Sequence, residues 1–209
     1  MRPVCGLNIR RYVNSIFNSN TYLITYGREA VLVDCGDVLE ICHECRDNGT
    51  DIKAVLLTHS HFDHIYGLNI LLEEFKDITV YTTTVGRESL FSDKLNLSRY
   101  HESPFVFEGE KITTIAENST TIAIWPDTVI KVIRTPGHTP CSLSYLIGNY
   151  LFSGDSYIPG QKVVTNLPGG DRHLAKQSIS LINSMWTTDI TLCPGHGKML
   201  LYNDTDDKP

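Results

Sequence analysis

The 209-residue sequence has no apolar run long enough to cross a membrane and no low-complexity linker that would divide it. Its first residues, Met-Arg-Pro-Val-Cys-Gly, lack the apolar core of a signal peptide. Basic residues are not in excess, because 18 Lys and Arg stand against 24 Asp and Glu, for a formal net charge of −6. We therefore predict a cytoplasmic protein with one domain over residues 1–209 and no nucleic-acid or membrane partner. A single sequence leaves the oligomeric state open.

A disulfide framework is also not expected, because the six cysteines belong to a predicted cytosolic chain that is large enough to bury a core. Cys42-His43-Glu44-Cys45 spells a CxxC pattern, but no second CxxC accompanies it. The pattern falls within a predicted helix. We therefore favour packing of both side chains, with a redox pair or an extra metal site as the alternatives.

Hydrophobic periodicity and turn residues predict an α/β chain. Strands are predicted at residues 20–26, 30–34, 52–58, 78–81, 111–115, 121–125, 129–133, 143–147, 150–153 and 190–193. Helices are predicted at residues 37–48, 65–75, 85–91 and 172–186. Asp37 is expected to cap the first helix and Gly49 to end it. Residues 92–104 are polar and irregular, and we favour a surface connection there over a loop that covers the site.

Metal-binding side chains, in contrast, are abundant. The pattern His59-x-His61-x-Asp63-His64 places four candidate ligands within six residues. Three more stand in turn-like settings: His138 in Thr-Pro-Gly-His-Thr-Pro, Asp155 in Ser-Gly-Asp-Ser, and His196 in Pro-Gly-His-Gly. Imidazole and carboxylate groups suit Zn²⁺, Fe²⁺ or Mn²⁺. Seven ligands exceed the needs of one tetrahedral zinc and fit two metals that share a ligand, which indicates metal-assisted hydrolysis.

Over nearly its whole length the chain resembles the metallo-β-lactamase superfamily. The resemblance rests on four motifs in the expected order: Thr58-His59-Ser-His61-Phe-Asp63-His64, Thr135-Pro-Gly-His138-Thr, Phe152-Ser-Gly-Asp155 and Pro194-Gly-His196-Gly. It implies an α/β (α+β) fold, a four-layer αβ/βα sandwich of two β-sheets with helices outside. It also implies that His59, His61 and His138 hold one metal, that Asp63, His64 and His196 hold a second, and that Asp155 bridges both.

The cofactors implied are two divalent metal ions, zinc foremost, with iron or manganese also compatible. Two metals that share a water lower its pKa from 15.7 towards about 7, so that a bridging hydroxide becomes available as a nucleophile. Asp63 and Asp155 are the predicted catalytic carboxylates, the first orienting the hydroxide and the second bridging the metals. Asp34 either orients a ligand histidine or caps the turn after its strand.

Within the superfamily the chain looks most like the compact glyoxalase II type, because Leu167-Pro-Gly-Gly-Asp171 resembles a loop motif of that group. Asp171 also fits a helix N-cap. The resemblance implies a hydroxyacylglutathione hydrolase-like enzyme with a small-molecule substrate, a thioester or ester. Typical glyoxalase II contacts glutathione through a C-terminal helical domain, which the few residues after His196 are not expected to form. The candidate substrate-binding residues are Tyr157, Lys162 and Arg172, of which the two cations either bind a substrate carboxylate or are ordinary exposed charges.

Two other activities fit the same motifs. Persulfide dioxygenases share the resemblance and use a single iron held by two His and one Asp. Lactonases place a tyrosine shortly after the bridging Asp, and Tyr157 stands two residues beyond Asp155, although a role in the pocket wall is favoured. β-Lactam hydrolysis is less expected, because true lactamases usually carry Cys where this chain has Asp155.

Overall fold

The computed structural model describes residues 6–204, and these form two compact units, each built on its own six-stranded sheet. The first unit covers residues 6–116 and the second covers residues 117–204. None of the helices in this part of the chain has the length and apolar character needed to cross a bilayer.

The sheet of the first unit is mixed, with strand order β1-β2-β3-β4-β5-β6. Its strands are β1 Leu7–Val13, β2 Asn20–Tyr26, β3 Glu29–Val33, β4 Asp51–Leu56, β5 Thr79–Thr82 and β6 Ile112–Thr114. The first three are joined as antiparallel neighbours, whereas β3 to β6 run parallel. Parallel neighbours need crossover segments, and here these carry the helices α1 Leu39–Asp47, α2 Leu68–Glu74 and α3 Thr84–Leu90.

The core of the first unit lies between its sheet and the helices α1 and α2. Apolar side chains of the two helices, such as Ile41 and Leu71, share a buried cluster with Leu32, Val55 and Val80 of the central strands. The central strands read as continuous apolar runs because their residues are buried on both faces. This rigid layer fixes the ends of β3 and β4, from which the candidate site begins.

The sheet of the second unit has strand order β12-β11-β10-β9-β8-β7. Its strands are β7 Thr121–Trp125, β8 Thr128–Arg134, β9 Leu143–Ile147, β10 Tyr150–Gly154, β11 Thr191–Pro194 and β12 Leu200–Leu201. All neighbours are antiparallel except β10 and β11, which are parallel and are connected through α4, Arg172–Met185. Ile182 of α4 and the following Trp186 pack with Leu151 and Leu192 in a buried cluster.

The α/β fold class predicted from the sequence is confirmed, with differences at particular elements. Strands β1 and β12 were not predicted. The N-cap assignment of Asp37 is wrong: α1 begins after Val38 without a side-chain cap, because Asp37 Oδ2 accepts a hydrogen bond from the Ser15 backbone N–H at 2.6 Å. Gly49 follows the end of α1 with a left-handed φ of 62°, as expected of a helix-terminating glycine. The prediction of a single domain stays a prediction.

The five cysteines within the described residues are reduced and buried: Cys35, Cys42, Cys45, Cys141 and Cys193. Both cysteines of the CxxC pattern lie on α1 and belong to the core cluster of the first unit. Burial raises the pKa of the Cys45 thiol to about 11 and also raises the pKa of Cys42. Since the thiolate is the nucleophile, these side chains are inert packing residues at neutral pH.

Thiol titration should reveal this burial. At pH 8 we expect the five thiols to react with an aromatic disulfide reagent only as fast as the protein unfolds, and all to react at once in denaturant. A Cys5→Ser variant removes the sixth thiol, which lies outside the described residues. Rapid reaction of Cys42 or Cys45 in the native protein would contradict the packing role.

Candidate metal centre

In the first unit, the His59-x-His61-x-Asp63-His64 motif lies in the loop after β4, which includes a short 3-10 turn at Phe62–His64. The ring centroids of His59 and His61 are 4.8 Å apart, and those of His59 and His64 are 4.3 Å apart. His64 Nε2 lies 3.3 Å from Asp63 Oδ2. All four side chains are buried. Buried nitrogen and oxygen donors gathered at the carboxyl end of a central strand suit metal binding better than packing.

Asp34, at the end of β3, orients this set. Its Oδ2 lies 2.9 Å from His64 Nδ1 and accepts a hydrogen bond from Thr58 Oγ1 at 2.8 Å, while its Oδ1 accepts one from the Thr58 backbone N–H at 2.7 Å. Burial raises the pKa of the Asp34 carboxyl, against the opposing effect of the His64 ring and the Thr58 hydrogen bonds. A carboxylate at Nδ1 fixes the ring so that Nε2 is presented as the ligand atom.

The second unit gathers the other three candidate ligands. Asp155 follows β10 and His196 follows β11, and Asp155 Oδ2 lies 3.4 Å from His196 Nε2. The same oxygen lies 3.6 Å from Nε2 of His138, which follows β8. The backbone N–H of Gly195 donates to Gly154 O at 2.9 Å and so joins the loops that carry Asp155 and His196. One carboxylate oxygen thus faces two imidazole nitrogens.

The His138 ring is also held from behind. Its Nδ1 lies 2.9 Å from the Val164 carbonyl oxygen, which fixes the tautomer with Nε2 as the ligand atom. The preceding loop is tied to the start of α4, because the Asp171 N–H donates to Gly137 O at 2.8 Å and Ser178 Oγ donates to Pro136 O at 2.7 Å. The predicted N-cap of α4 is confirmed, since Asp171 Oδ1 accepts from the N–H groups of His173 and Leu174.

Glycine is required at position 137, where the loop before His138 contacts α4, and Gly137→Ala tests this requirement. The residue has φ of 130°, and a Cβ there would lie 2.2 Å from the backbone nitrogen of Ala175 in α4. The left-handed backbone alone costs about 1–3 kcal/mol, and relief of the clash must displace α4 or the adjacent His138. We expect a lower melting temperature and weaker metal binding. Gly197→Ala is the matched control, because its φ is 82° but no atom lies within 4 Å of its Cβ position. Equal effects of the two substitutions would contradict the steric argument.

A cavity of about 160 Å³ in the second unit is lined by His138, Asp155 and His196 together with a loop that contributes Ile158, Gln161, Lys162, Val163 and Val164. Of the predicted substrate-binding residues, Lys162 lines this cavity. Tyr157 packs its ring against Trp186 with centroids 6.1 Å apart, within the apolar cluster. Arg172 is the first residue of α4 and is exposed. The structure thus groups Lys162 with the three candidate ligands of this unit, while Tyr157 packs in the apolar cluster rather than in the lining given for this cavity.

Several groups around the candidate ligands carried no sequence signal. The Val164 carbonyl on His138 is a backbone atom, which no side-chain pattern can reveal. Ser19 Oγ donates to the Asp63 carbonyl at 2.7 Å, and Thr58 Oγ1 lies 3.1 Å from His59 Nδ1. Thr58 is the exception, because it directly precedes His59 and belongs to the motif that carries the resemblance.

Comparison with known proteins supports the motif assignment. The family model of the metallo-β-lactamase superfamily matches residues 15–197. "Probable metallo-hydrolase MJ0888" of Methanocaldococcus jannaschii is 30% identical over 88% of this chain and 89% of its own length. A hydroxyacylglutathione hydrolase of Erwinia tasmaniensis is 32% identical over 60% of this chain, but the match spans only 41% of that enzyme.

Among solved structures, the BLEG-1 B3 metallo-β-lactamase superposes with a TM-score of 0.86 at 29% identity, covering 97% of this chain and 98% of that one. The two mixed sheets with few helices match this fold, which confirms the fold expected from the resemblance. The chain belongs to the metallo-β-lactamase superfamily, a group of mostly metal-dependent hydrolases.

Proposed function

We propose that the protein is a dinuclear metal-dependent hydrolase of a small thioester or related ester. The observation that carries the proposal is a pair of donor sets, buried in the first unit and partly buried in the second, in which His64 and His138 are each oriented through Nδ1. The similarity to hydroxyacylglutathione hydrolases supports a thioester, although the chain matches less than half the length of the first such relative.

The residues fit two divalent metals. His59, His61 and His138 would hold one ion, Asp63, His64 and His196 the other, and Asp155 would bridge them. Imidazole and carboxylate donors without thiolates suit zinc, with iron or manganese also compatible. When bound, the metals supply a water acidified towards neutral pH and a Lewis acid for the substrate carbonyl.

The protein's own groups then have distinct tasks. Asp63 binds metal and orients the attacking nucleophile towards the carbonyl carbon. Asp34 holds the tautomer of His64 and the Val164 carbonyl holds that of His138, so neither ring needs to reorganise during turnover. Lys162, beside His138 and Asp155, binds an anionic group of the substrate through its ammonium.

Lys162→Ala should therefore raise KM for a thioester that carries a carboxylate by about 3-fold to 10-fold, while leaving kcat nearly unchanged. An exposed cation contributes less than a buried one, which limits the expected effect. Arg172→Ala is the matched control, because that exposed cation does not line the cavity. Steady-state kinetics with charged and uncharged thioesters measure the difference, and a larger effect of Arg172→Ala would reverse the assignment.

The deciding experiment is metal content by elemental analysis of protein purified without added metal, followed by a panel of thioesters, lactones, esters and β-lactams. About two metals per chain with thioester turnover would support the proposal. A single iron with oxygen consumption on a persulfide would instead identify a dioxygenase. Turnover of β-lactams alone would indicate the activity named for the structurally similar B3 enzyme and would overturn the proposed thioester substrate.

A further inference from the structure

The first unit has a cleft of about 480 Å³ next to the metal-binding motif. It is lined by Ile16, Phe62, Tyr100, His101, Glu102 and Ser103. Its volume lies in the range of small-molecule sites, about 300–1,000 Å³. Phe62 stands between the candidate ligands His61 and Asp63 in the sequence, so the cleft and the ligand set share one short segment.

Phe62, Tyr100 and His101 contribute aromatic rings to the lining of this cleft, and Phe17 lies beside it against His101. The rings of Phe62 and His101 have centroids 4.6 Å apart, and Phe17 meets His101 edge-on at 5.4 Å. Phe62 is buried, whereas Phe17 is 65% exposed and Tyr100 is 77% exposed. His101 therefore lies between a buried and an exposed ring. Large exposed aromatic side chains grouped at a cleft are typical of a binding surface.

The loop that presents His101 is tied by hydrogen bonds to the metal-binding motif and within itself. Asn96 is buried, its carbonyl accepts from the Phe62 N–H at 2.9 Å, and its Nδ2 donates to Phe105 O at 3.0 Å. Ser98 Oγ accepts from the Phe105 N–H at 2.8 Å. Leu97 adopts a left-handed φ of 68°, which an apolar residue rarely does without compensating contacts. The loop is thus held in one conformation against the metal-binding motif.

The turn that presents Phe17 is also constrained. Phe17 and Asn18 both have left-handed backbones, with φ of 53° and 55°. The turn closes through a hydrogen bond from the Asn14 N–H to Ser19 O at 2.8 Å, and Ser19 Oγ donates to Asp63 O. Two separate segments therefore direct aromatic rings to one side of the motif, and each is bonded to the motif's backbone.

The charges of the cleft favour an uncharged occupant. Glu102 is the acidic residue in its lining, and no lysine or arginine contributes to the lining within residues 6–204. The nearby Arg99 is paired with Asp93 at 2.8 Å. An anionic group would meet Glu102 without a compensating cation, whereas a neutral aromatic ring matches the rings of His101, Phe17 and Tyr100.

We propose that this cleft binds an uncharged aromatic group of the substrate, with His101 as a specificity-determining residue held between Phe62 and Phe17. The proposal rests on the proposed hydrolase function and adds the substrate class. The ring belongs either to the acyl part or to the departing thiol, and both would make the same contacts in the cleft.

Two isomeric thioesters separate these sources. S-methyl phenylthioacetate carries the ring on the acyl side, S-benzyl thioacetate carries it on the thiol side, and S-methyl thioacetate has no ring. After correction for alkaline hydrolysis rates, we expect kcat/KM for one isomer to exceed that of the ring-free thioester by about 10-fold.

His101→Ala and Phe17→Leu should each reduce this preference by about 3-fold to 10-fold, and His101→Phe should retain it because a ring remains. Phe91→Ala, which removes a 44% exposed ring outside the cleft, should leave it unchanged.

A binding measurement makes the test independent of turnover. The His101 ring resonances, assigned by their loss in His101→Phe, should shift when phenylacetamide is added and not when acetamide is added. A shift of the His101 resonances without thioester turnover would support aromatic binding in the cleft and overturn the proposed hydrolase function. Thioester turnover with no aromatic preference and no shift would overturn the proposed aromatic binding and leave the hydrolase function supported.

Discussion

Replacing Asp155 by alanine is expected to reduce bound metal from about two ions per chain to fewer than one and to lower kcat/KM by at least about 10³-fold. The reason is its position: one Asp155 oxygen lies 3.6 Å from His138 Nε2 and 3.4 Å from His196 Nε2. In the proposed centre these rings bind different metals, so the loss of Asp155 removes the ligand that both share. When the metals are lost, the protein also loses their Lewis-acid stabilisation of the transition state, which is worth several kcal/mol.

The measurement is elemental analysis together with turnover of the best thioester. Asp189→Ala is the control, because this exposed aspartate lies in the same unit after α4. The control should keep both its metal content and its activity. An Asp155→Ala protein that retained two metals would exclude a bridging role for this carboxylate.

Asp34→Asn should lower metal affinity and kcat/KM by about 10-fold to 100-fold, although Asn occupies the same volume. Asn tolerates the left-handed φ of 58° found at this position, so the backbone is not strained by the change. Its amide, however, would direct N–H donors at His64 Nδ1 or at Thr58, where a carboxylate oxygen now accepts. A donor at Nδ1 favours the tautomer with the proton on Nε2, which removes the lone pair that binds metal.

Competition with a chelator measures the metal affinity, and thermal unfolding of the metal-free protein measures stability. Asp37→Asn is the matched control, because Asp37 is exposed and bonds the Ser15 backbone rather than a histidine. If Asp34→Asn lowered the melting temperature but left metal affinity intact, Asp34 would be a structural residue only.

The candidate ligand motifs could be recognised in the sequence because they are local. His59, His61, Asp63 and His64 are packed into six residues, and the strand before them reads as an apolar run. Strand β1 was missed because only Tyr12 among its residues is buried and Arg10-Arg11 interrupts the apolar pattern. Its seven register pairs with β2 determine the strand, and such pairing is not encoded in the strand alone.

The segment 92–104 shows the same limit. Its polar composition favoured a surface connection, but in the structure the Asn96 carbonyl accepts from the Phe62 N–H and the His101 ring packs against the Phe62 ring. These contacts join residues more than 30 positions apart, so no local pattern predicts them. The seven candidate metal ligands could thus be proposed from sequence, whereas the Val164 carbonyl behind His138 and the aromatic cleft have no local sequence pattern.

Strand β1 also bears on how the protein behaves at high concentration. It forms a border of its sheet, pairing within residues 6–204 with β2 alone, and a border strand can recruit the strand of another molecule. Arg10 and Arg11 lie in the middle of this border, and Arg10 is paired with Glu40 and Glu44 of α1. Desolvating these charges would oppose the approach of a second sheet. Arg10 and Arg11, which interrupt the apolar pattern of β1, thus also oppose edge-to-edge association of the folded protein into extended sheets.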